Sequence, residues 1–399
     1  MIGFKSQIEA RQGAWIALRR DLHQHPELGF DLPRTAAAVA ERLRALGLEV
    51  QTGVGRSGVV GLLEGAAAGP TVLVRADMDA LPVQEENAVP YASQTPGVMH
   101  ACGHDGHTAI ALAVAELLSE RRAQMTGRVK FVFQPAEEIG RGAQAMIEDG
   151  ALSDPVPDVC LGLHLWNEMP VGFVALVDGP MMAAAGDISI TVRGRGGHGA
   201  LPHETRDPIV AGSHIVTALQ TVISRNVRPT EVAVVSITEF KAGDSFNVIP
   251  ETAQLRGTIR AFRPEVIELL GQRAREIAQQ VAAAFGCQAE VHVEQLTLPV
   301  VNDAAVNARL RPLFRQVAPQ VQLLDGVQTM AAEDMSYFLN AVPGTFFLVG
   351  SANPERGLDY PHHHPRFDFD EAALPLAIDL LAEAVASYVL PDTSHPPAL

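Results

Sequence analysis

Only three cysteines occur in the 399 residues, Cys102, Cys160 and Cys287. Odd in number and far apart, they form no disulfide framework, and a reducing, cytoplasmic setting fits best. Basic residues are also short, 30 Lys and Arg against 46 Asp and Glu, for a formal net charge of −16. That balance argues against nucleic acid as a partner, because a phosphate backbone needs clustered Lys and Arg. It argues equally against a polybasic membrane contact. No run reaches the roughly 18 apolar residues that a membrane helix needs. Met1–Arg20 lacks the apolar centre of a secretory leader, so none is expected. Repeats of 20–50 residues and long low-complexity tracts are missing too.

What remains is the composition of a globular chain, 47% hydrophobic and 19% charged. At about 150 residues per domain, the length suggests two or three domains. Residues 3–20 and Thr35–Leu48 read as amphipathic helices, with a cap and proline signal for the second in Asp31–Arg34. Short apolar runs rich in β-branched and aromatic residues read as strands: Val59–Leu63, Thr71–Ala76, Val129–Gln134, Val159–Leu165 and Thr345–Ser351. Helical stretches, Thr108–Arg122 and Ala143–Glu148, lie between them. This alternation predicts an α/β fold, a mostly parallel sheet flanked by helices.

The middle differs. Strand Asp187–Val192, helix Pro208–Ile223, strands Glu231–Glu239 and Thr252–Ala261, helix Pro264–Phe285 and strand Glu290–Leu296 give a ferredoxin-like β-α-β-β-α-β order. Residues 186–298 are therefore expected to be an inserted α+β domain. Residues 1–185 and 299–399 would then make one discontinuous larger domain. The tail Pro391–Leu399 is expected to fray.

Six of the 14 histidines lie in two short segments, Met99–His107 and Pro361–Pro365, the first of which also holds Cys102. Cys102-Gly103-His104 offers a thiolate and an imidazole two residues apart, good ligands for zinc-like ions. Alone it is as well explained by a buried cysteine beside a helix start. Glu137 and Glu138 follow the strand Val129–Gln134, where one acid can hold metal and the other move protons. Alone they suit a solvated acidic helix start. His164 ends a strand run, where a core histidine is the commoner explanation, and His362-His363-His364 could be a surface loop. Asp77 and Asp79 end a further strand and suit partners that orient ligand histidines. Together, however, these residues fall at the C-terminal edges of successive strands, where open α/β sheets place ligands. Chance explains that poorly, and a metal centre explains it.

The segments Arg75–Pro82, Met99–His107, Gln134–Glu138, Leu163–Trp166, Gly194–Pro202 and His363–Glu371 resemble the aminoacylase/carboxypeptidase family of dinuclear-metal hydrolases. More narrowly, they resemble the branch of hippurate hydrolase and the auxin-conjugate (indole-acetyl-amino acid) hydrolases. The resemblance runs from His23-Gln24-His25-Pro26-Glu27 to Phe369-Asp370-Glu371. It implies a zinc-peptidase-like catalytic domain, with 186–298 as a lid and dimerisation domain. It implies Cys102, His104, Glu138, His164 and His363 as ligands of two divalent ions (Zn, Mn, Co or Ni), with Cys102 bridging. His363 is preferred to its neighbours because relatives place the ligand two residues before the proline. Where the wider family has His-x-Asp this chain has Asp77-Met78-Asp79, a departure shared with the cysteine branch. Asp79 then becomes an orienting residue. Glu137 matches the general base. His198 matches a histidine that reaches the partner subunit's active site, and Asn247 and Arg260 match groups that hold the substrate carboxylate.

The expected activity is hydrolysis of the amide bond of N-acyl amino acids, hippurate-like or N-acetyl, or of dipeptide-like analogues, by a homodimer. A metallo-aminopeptidase or dipeptidase of the same fold is the alternative, and a catalytically silent metal-binding protein a weaker one. The acidity is uneven: 186–298 holds 11 Lys and Arg against 12 Asp and Glu, and the remainder 19 against 34.

Overall fold

The computed structural model describes residues 3–390. The expected fraying of Pro391–Leu399 lies outside the described residues. The chain divides into two units, one of Met1–Gly179, Val301–Val327 and Asp334–Leu399, the other of Pro180–Val300 and Gln328–Glu333. The second unit is wider than 186–298. It gains Gln328–Glu333 because Ala183 N–H donates to the carbonyls of Thr329 and Ala331 at 3.2 and 3.1 Å.

The first unit is built on an eight-stranded sheet. Its spatial order is Glu49–Val54, Gly58–Glu64, Thr126–Gln134, Ala67–Asp77, Val159–Pro170, Gly344–Ala352, Phe173–Ala175 and Gln322–Leu324. The four middle strands, Thr126–Gln134 to Gly344–Ala352, run parallel. They are the apolar runs legible in the sequence, and a parallel strand buried on both faces needs that continuous apolar character. Gly344–Ala352 is buried at every residue. The outer hairpin Glu49–Val54 and Gly58–Glu64 adds on antiparallel. The α/β class with helices flanking the sheet is therefore as expected.

Helices Lys5–Gln24, His104–Ser119 and Ala373–Val389 contribute to the core against this sheet. The last was not singled out in the sequence. Twelve of its residues are buried, including Ala377, Leu380, Leu381 and Val385. A helix apolar nearly all round lacks the one-sided stripe that marks surface helices. Among the described residues no helix is long and apolar enough to cross a membrane.

The second unit has a four-stranded antiparallel sheet, ordered Ala233–Ala242, Thr252–Ala261, Ala184–Arg193 and Gln288–Gln295. In chain order that is 2-3-1-4, the ferredoxin-like arrangement. Helices Pro208–Asn226 and Pro264–Ala284 cover one face around Ile188, Ile190, Ile215, Leu219, Ile259 and Leu270. Residues alternate buried and half-exposed along Gly186–Val192, as a sheet with one covered face requires. Both helices begin at proline, and Asp207 caps the first by accepting from Ile209 N–H.

Two local expectations need correction. The ligand-bearing helix starts at His104, not Thr108, because Gly103 takes a left-handed φ of +87° and lets the chain turn in earlier. The helix Pro33–Ala45 is not capped from within Asp31–Arg34. Glu27 reaches across instead, its carboxylate accepting from Arg34 N–H at 3.0 Å and Thr35 N–H at 2.8 Å. Losing such a cap typically costs about 1 kcal/mol. Glu27→Ala should therefore speed amide exchange in Pro33–Ala45 by roughly fivefold. Unchanged protection at Arg34 and Thr35, read by hydrogen exchange, would contradict this role.

Candidate metal centre

Four loops and strand ends of the first unit deliver the donors. Cys102 stands just before the left-handed Gly103, and His104 opens the helix. His164 lies within Val159–Pro170. Its Nδ1–H donates to the Leu165 carbonyl at 2.7 Å, so Nε2 keeps its lone pair and faces Cys102 Sγ at 3.5 Å. His104 is prepared in the same way. Its Nδ1–H donates to the Asp79 carbonyl at 2.8 Å. Its Nε2 is buried with no hydrogen-bond partner among the described residues. That nitrogen lies 3.8 Å from Asp77 Oδ2, 3.9 Å from Glu137 Oε2 and 3.8 Å from Glu138 Oε1. A buried ring nitrogen facing carboxylates calls for positive charge between them, from a ring proton or from a bound cation.

The glutamate pair sits on a tight turn after Thr126–Gln134. Ala136 takes a positive φ of +55°, uncommon for a residue with a side chain. A Cβ on Gly142 would lie 1.6 Å from the Pro135 carbonyl oxygen, so only glycine closes this turn. Asp79 holds it from below: Oδ1 accepts from Glu137 N–H at 2.9 Å and Oδ2 from Glu138 N–H at 3.2 Å. The Glu137 carboxylate accepts from Asp334 N–H at 3.4 Å.

Within the three consecutive histidines, the rings differ. His362 Nε2 accepts from Asn167 N–H at 3.1 Å, which places its proton on Nδ1, 3.7 Å from Cys102 Sγ. Burial beside His363, His107 and His104 pushes its pKa down to about 3. His363 takes a φ of +67° and brings Nε2 to 3.3 Å from Glu138 Oε2. His364 stacks on Tyr360. His107 was part of the quoted motif but both its nitrogens are engaged. Nδ1–H donates to Asp77 Oδ1 at 2.6 Å and Nε2 accepts from Leu165 N–H at 2.9 Å.

Electrostatics favour a cation at this place. Burial works against the His104 imidazolium, but the Asp77 carboxylate, the bond to Asp79 and Cys102 outweigh it and raise its pKa well above the ordinary value. Burial raises the Cys102 thiol, and Glu138 adds to it. Burial, with His107 and His362 nearby, holds His164 far below its usual value, so it stays neutral. Among the sets whose donor atoms all lie within 4.8 Å of one another are Cys102, His104 and His164; Cys102, Glu138 and His363; and His104, Glu137 and Glu138. Thiolate, imidazole and carboxylate together suit a borderline divalent ion, and the residues fit one well.

Behind the donors lies a buried network that sequence reading did not assemble. Arg75 donates from Nε to Gln134 Oε1 at 2.8 Å, from Nη1 to Asp77 Oδ2 at 2.6 Å and from Nη2 to Asp334 Oδ1 at 3.0 Å. Asp334 also accepts from Gln134 Nε2 at 2.7 Å. Arg75, Asp77 and Gln134 were within the quoted motifs. Asp334 sits in no motif, and no local signal marks it.

The second unit carries the other three candidates. His198 pairs with Val248 in a short exposed ribbon, Gly197–His198 against Val248–Ile249. Pairing with Val248–Ile249 holds this segment in place. Gly199 N–H donates to the Asn247 carbonyl at 2.8 Å, so Asn247 lies beside His198. Ser245 Oγ donates to Asn247 Oδ1 at 2.8 Å, and Phe246 between them is fully exposed. Arg260 is far away. The ribbon extends from the end of the sheet where Thr252 faces Arg193, while Arg260 pairs with Ala185 at the other end. Eight residues of strand separate Thr252 from Arg260, about 26 Å. The half-buried Arg260 donates to Thr258 Oγ1 and to the Ile259 carbonyl, both neutral, and burial lowers its pKa.

Residues 73–387 match the model of peptidase family M20/M25/M40. The N-acetyl-L-cysteine deacetylase of Bacillus subtilis is 39% identical, over 92% of this chain and 86% of its own. The N-acetyldiaminopimelate deacetylase of Streptococcus thermophilus is also 39% identical, over 91% of this chain and 95% of its own. The YXEP protein of Bacillus subtilis, described as a dinuclear metal binding peptidase from the M20 family, superposes with a TM-score of 0.82. It is 34% identical and covers 95% of this chain and 98% of its own.

Cys102 belongs to two of these donor sets, so Cys102→Ala should lower metal content more than loss of a donor that belongs to one. Elemental analysis that finds as much divalent metal per chain as in the wild type would remove the thiolate as a shared ligand.

Proposed function

The chain belongs to peptidase family M20/M25/M40 and is a hydrolase acting on amides, and we propose that its substrates are N-acyl amino acids, cleaved at the amide by water with Glu137 as general base. The observation that carries this reading is the convergence of Glu137 Oε2 and Glu138 Oε1 on the open Nε2 of His104. One carboxylate can hold metal while its neighbour handles a proton.

Cys102, His104, Glu138, His164 and His363 would hold two divalent ions. When bound, the pair supplies Lewis acidity, which activates water and polarises the amide carbonyl. Glu137 takes the proton of the attacking water on Oε2 and passes it to the leaving amine nitrogen. Asp79 keeps both glutamates in place through their amide N–H groups. His198 donates to the oxyanion, an interaction typically worth about 3–4 kcal/mol. Arg260, whose present partners are neutral oxygens, takes the substrate carboxylate, and Asn247 assists.

The spacing within the second unit supports a homodimer. In one insert the His198–Asn247 ribbon and Arg260 belong to opposite ends of the sheet, Thr252 and Arg260 alone being about 26 Å apart along their strand, too far to meet on one small amide. Two inserts can supply both, each giving its arginine end to one site and its ribbon end to the other. The substrates named in the deacetylase relatives support a small acyl group, with hippurate-like and indole-acetyl conjugates as larger members of the same class.

Glu137→Gln should retain metal and lose turnover by about 10²–10⁴-fold. Near-normal hydrolysis of N-acetyl, N-benzoyl and indole-acetyl amino acids by this variant would exclude Glu137 as the base. Cleavage of free-amine dipeptides, with none of the acylated compounds touched, would instead favour the peptidase alternative.

Mixing subunits tests the shared site. Chains with His198→Ala and chains with Glu137→Gln should each be nearly inactive as homodimers. Heterodimers of the two hold one intact site and should recover up to half the wild-type rate per dimer. Confirmed heterodimers that stay inactive would place His198 outside its partner's chemistry.

A further inference from the structure

Upstream of His23–Glu27 lies an arginine to which the proposed chemistry gives no role. Arg19, on helix Lys5–Gln24, is fully buried. Each of its nitrogens reaches a different carboxylate. Nε donates to Asp105 Oδ2 at 2.7 Å, Nη2 to Asp368 Oδ1 at 2.9 Å and Nη1 to Glu371 Oε1 at 3.4 Å. The guanidinium also stacks on Phe369, 4.2 Å from the ring centre. The carboxylates are themselves held. Tyr91 OH donates to Asp368 Oδ2 at 2.7 Å, and His23 sits between Asp105 at 2.8 Å and Glu85 at 3.3 Å.

The places of these acids in the chain give the cluster its meaning. Asp105 follows His104 in the first turn of the ligand helix. Asp368 and Glu371 follow His363 on a stretch, residues 359–372, that contains no helix or strand. Backbone bonds anchor the start of that stretch: His363 N–H to the Ala101 carbonyl at 2.8 Å and Glu86 N–H to the Pro365 carbonyl at 2.9 Å. Farther along, Arg19 ties it to the ligand helix. Buried ion pairs are poor stabilisers, because desolvation offsets their attraction, and fixing geometry is their best-attested use.

We propose that Arg19 is a positioning residue of the metal centre: by bridging Asp105 to Asp368 and Glu371, it fixes the Cys102–His104 donors relative to His363. This rests on the proposed metal site and adds to it a residue that acts through others. The fork shape is essential. Lysine keeps the charge, but its three donors share one nitrogen and cannot span acids that bond three separate nitrogens of a planar fork.

Arg19→Lys and, as a second variant, the near-isosteric Asp368→Asn test this by metal affinity, measured on folded protein by competition with a chromogenic chelator. Each should bind divalent metal about 10–100-fold more weakly than wild type. Excess metal should restore most of the turnover of Arg19→Lys, since no reacting group has changed. Lys130→Met is the control. It removes a buried cation that donates to the carbonyls of Ala151 and Ser153, and it should lower the melting temperature without moving metal affinity. If Arg19→Lys fails to fold, Asp368→Asn decides alone. Affinity within twofold of wild type in the folded variants, whatever their melting temperature, would overturn the positioning role. So would a loss equal to that of Lys130→Met. Wild-type protein that binds no divalent metal would sink the metal site itself, a separate result.

Discussion

Burying several carboxylates next to imidazoles and a thiol is the constraint on which the rest of this structure depends. An uncompensated buried charge costs several kcal/mol even after relaxation. The first unit meets that cost in two layers. Arg75, behind the donors, neutralises Asp77 and Asp334, and through Asp77 it also fixes the His107 ring. In front, Glu137 and Glu138 face the open Nε2 of His104. The permanent cation thus decides which acids become framework and which remain for an exchangeable ion. Asp79 uses its charge in a third way, accepting two backbone N–H groups so that the strained turn at Ala136 holds its shape.

Such a centre needs donors from distant parts of the chain, and a parallel sheet supplies them. Ala67–Asp77, Thr126–Gln134, Val159–Pro170 and Gly344–Ala352 run side by side in one direction. The segments that carry Asp79, Glu137 and His363 therefore leave the sheet from the same edge. Strands buried on both faces need cover on both, which explains why Ala373–Val389 is so apolar and so deeply enclosed. Rigid backbone behind and short irregular loops in front let side chains with long sequence separations meet within a few ångströms.

Much of this was legible in the chain. Motif residues at strand ends could be read because strand, turn and donor are local neighbours. Thus Glu137 and Glu138 could be read with the strand they follow, whereas Cys102 and His104 stand at a helix start and His164 lies inside Val159–Pro170, not at its end. The ferredoxin-like order of the insert was legible because a sheet covered on one face shows alternation along its strands. What escaped has physical reasons. Gly103 moved a helix start by four residues through one backbone angle that composition does not encode. Glu27 caps a helix from outside the local window in which caps are sought. Asp334 meets Arg75 across more than 250 residues, a distance no local pattern spans. The choice between His362 and His363 depends on which ring nitrogen Asn167 engages, a property of the fold alone.

The charge imbalance gains meaning from the same geometry. Outside 186–298 the chain carries 34 acids against 19 bases, and inside it the two nearly cancel, 12 against 11. An anionic substrate approaching the acidic body meets repulsion that bound divalent ions would offset only locally. On the proposed reading, its carboxylate is received by the near-neutral insert, where Arg260 is half-buried among neutral oxygens. A guanidinium so placed loses some hydration before the substrate arrives, so less solvent has to be displaced when the carboxylate binds. The separation of Arg260 from the His198 ribbon then acquires a purpose. A small rigid sheet that presents recognition groups at both ends cannot wrap one ligand, but it can serve two sites related by symmetry. Specificity for the carboxylate and stabilisation of the oxyanion would then come from different copies of one domain, and catalysis would require both copies to be in place.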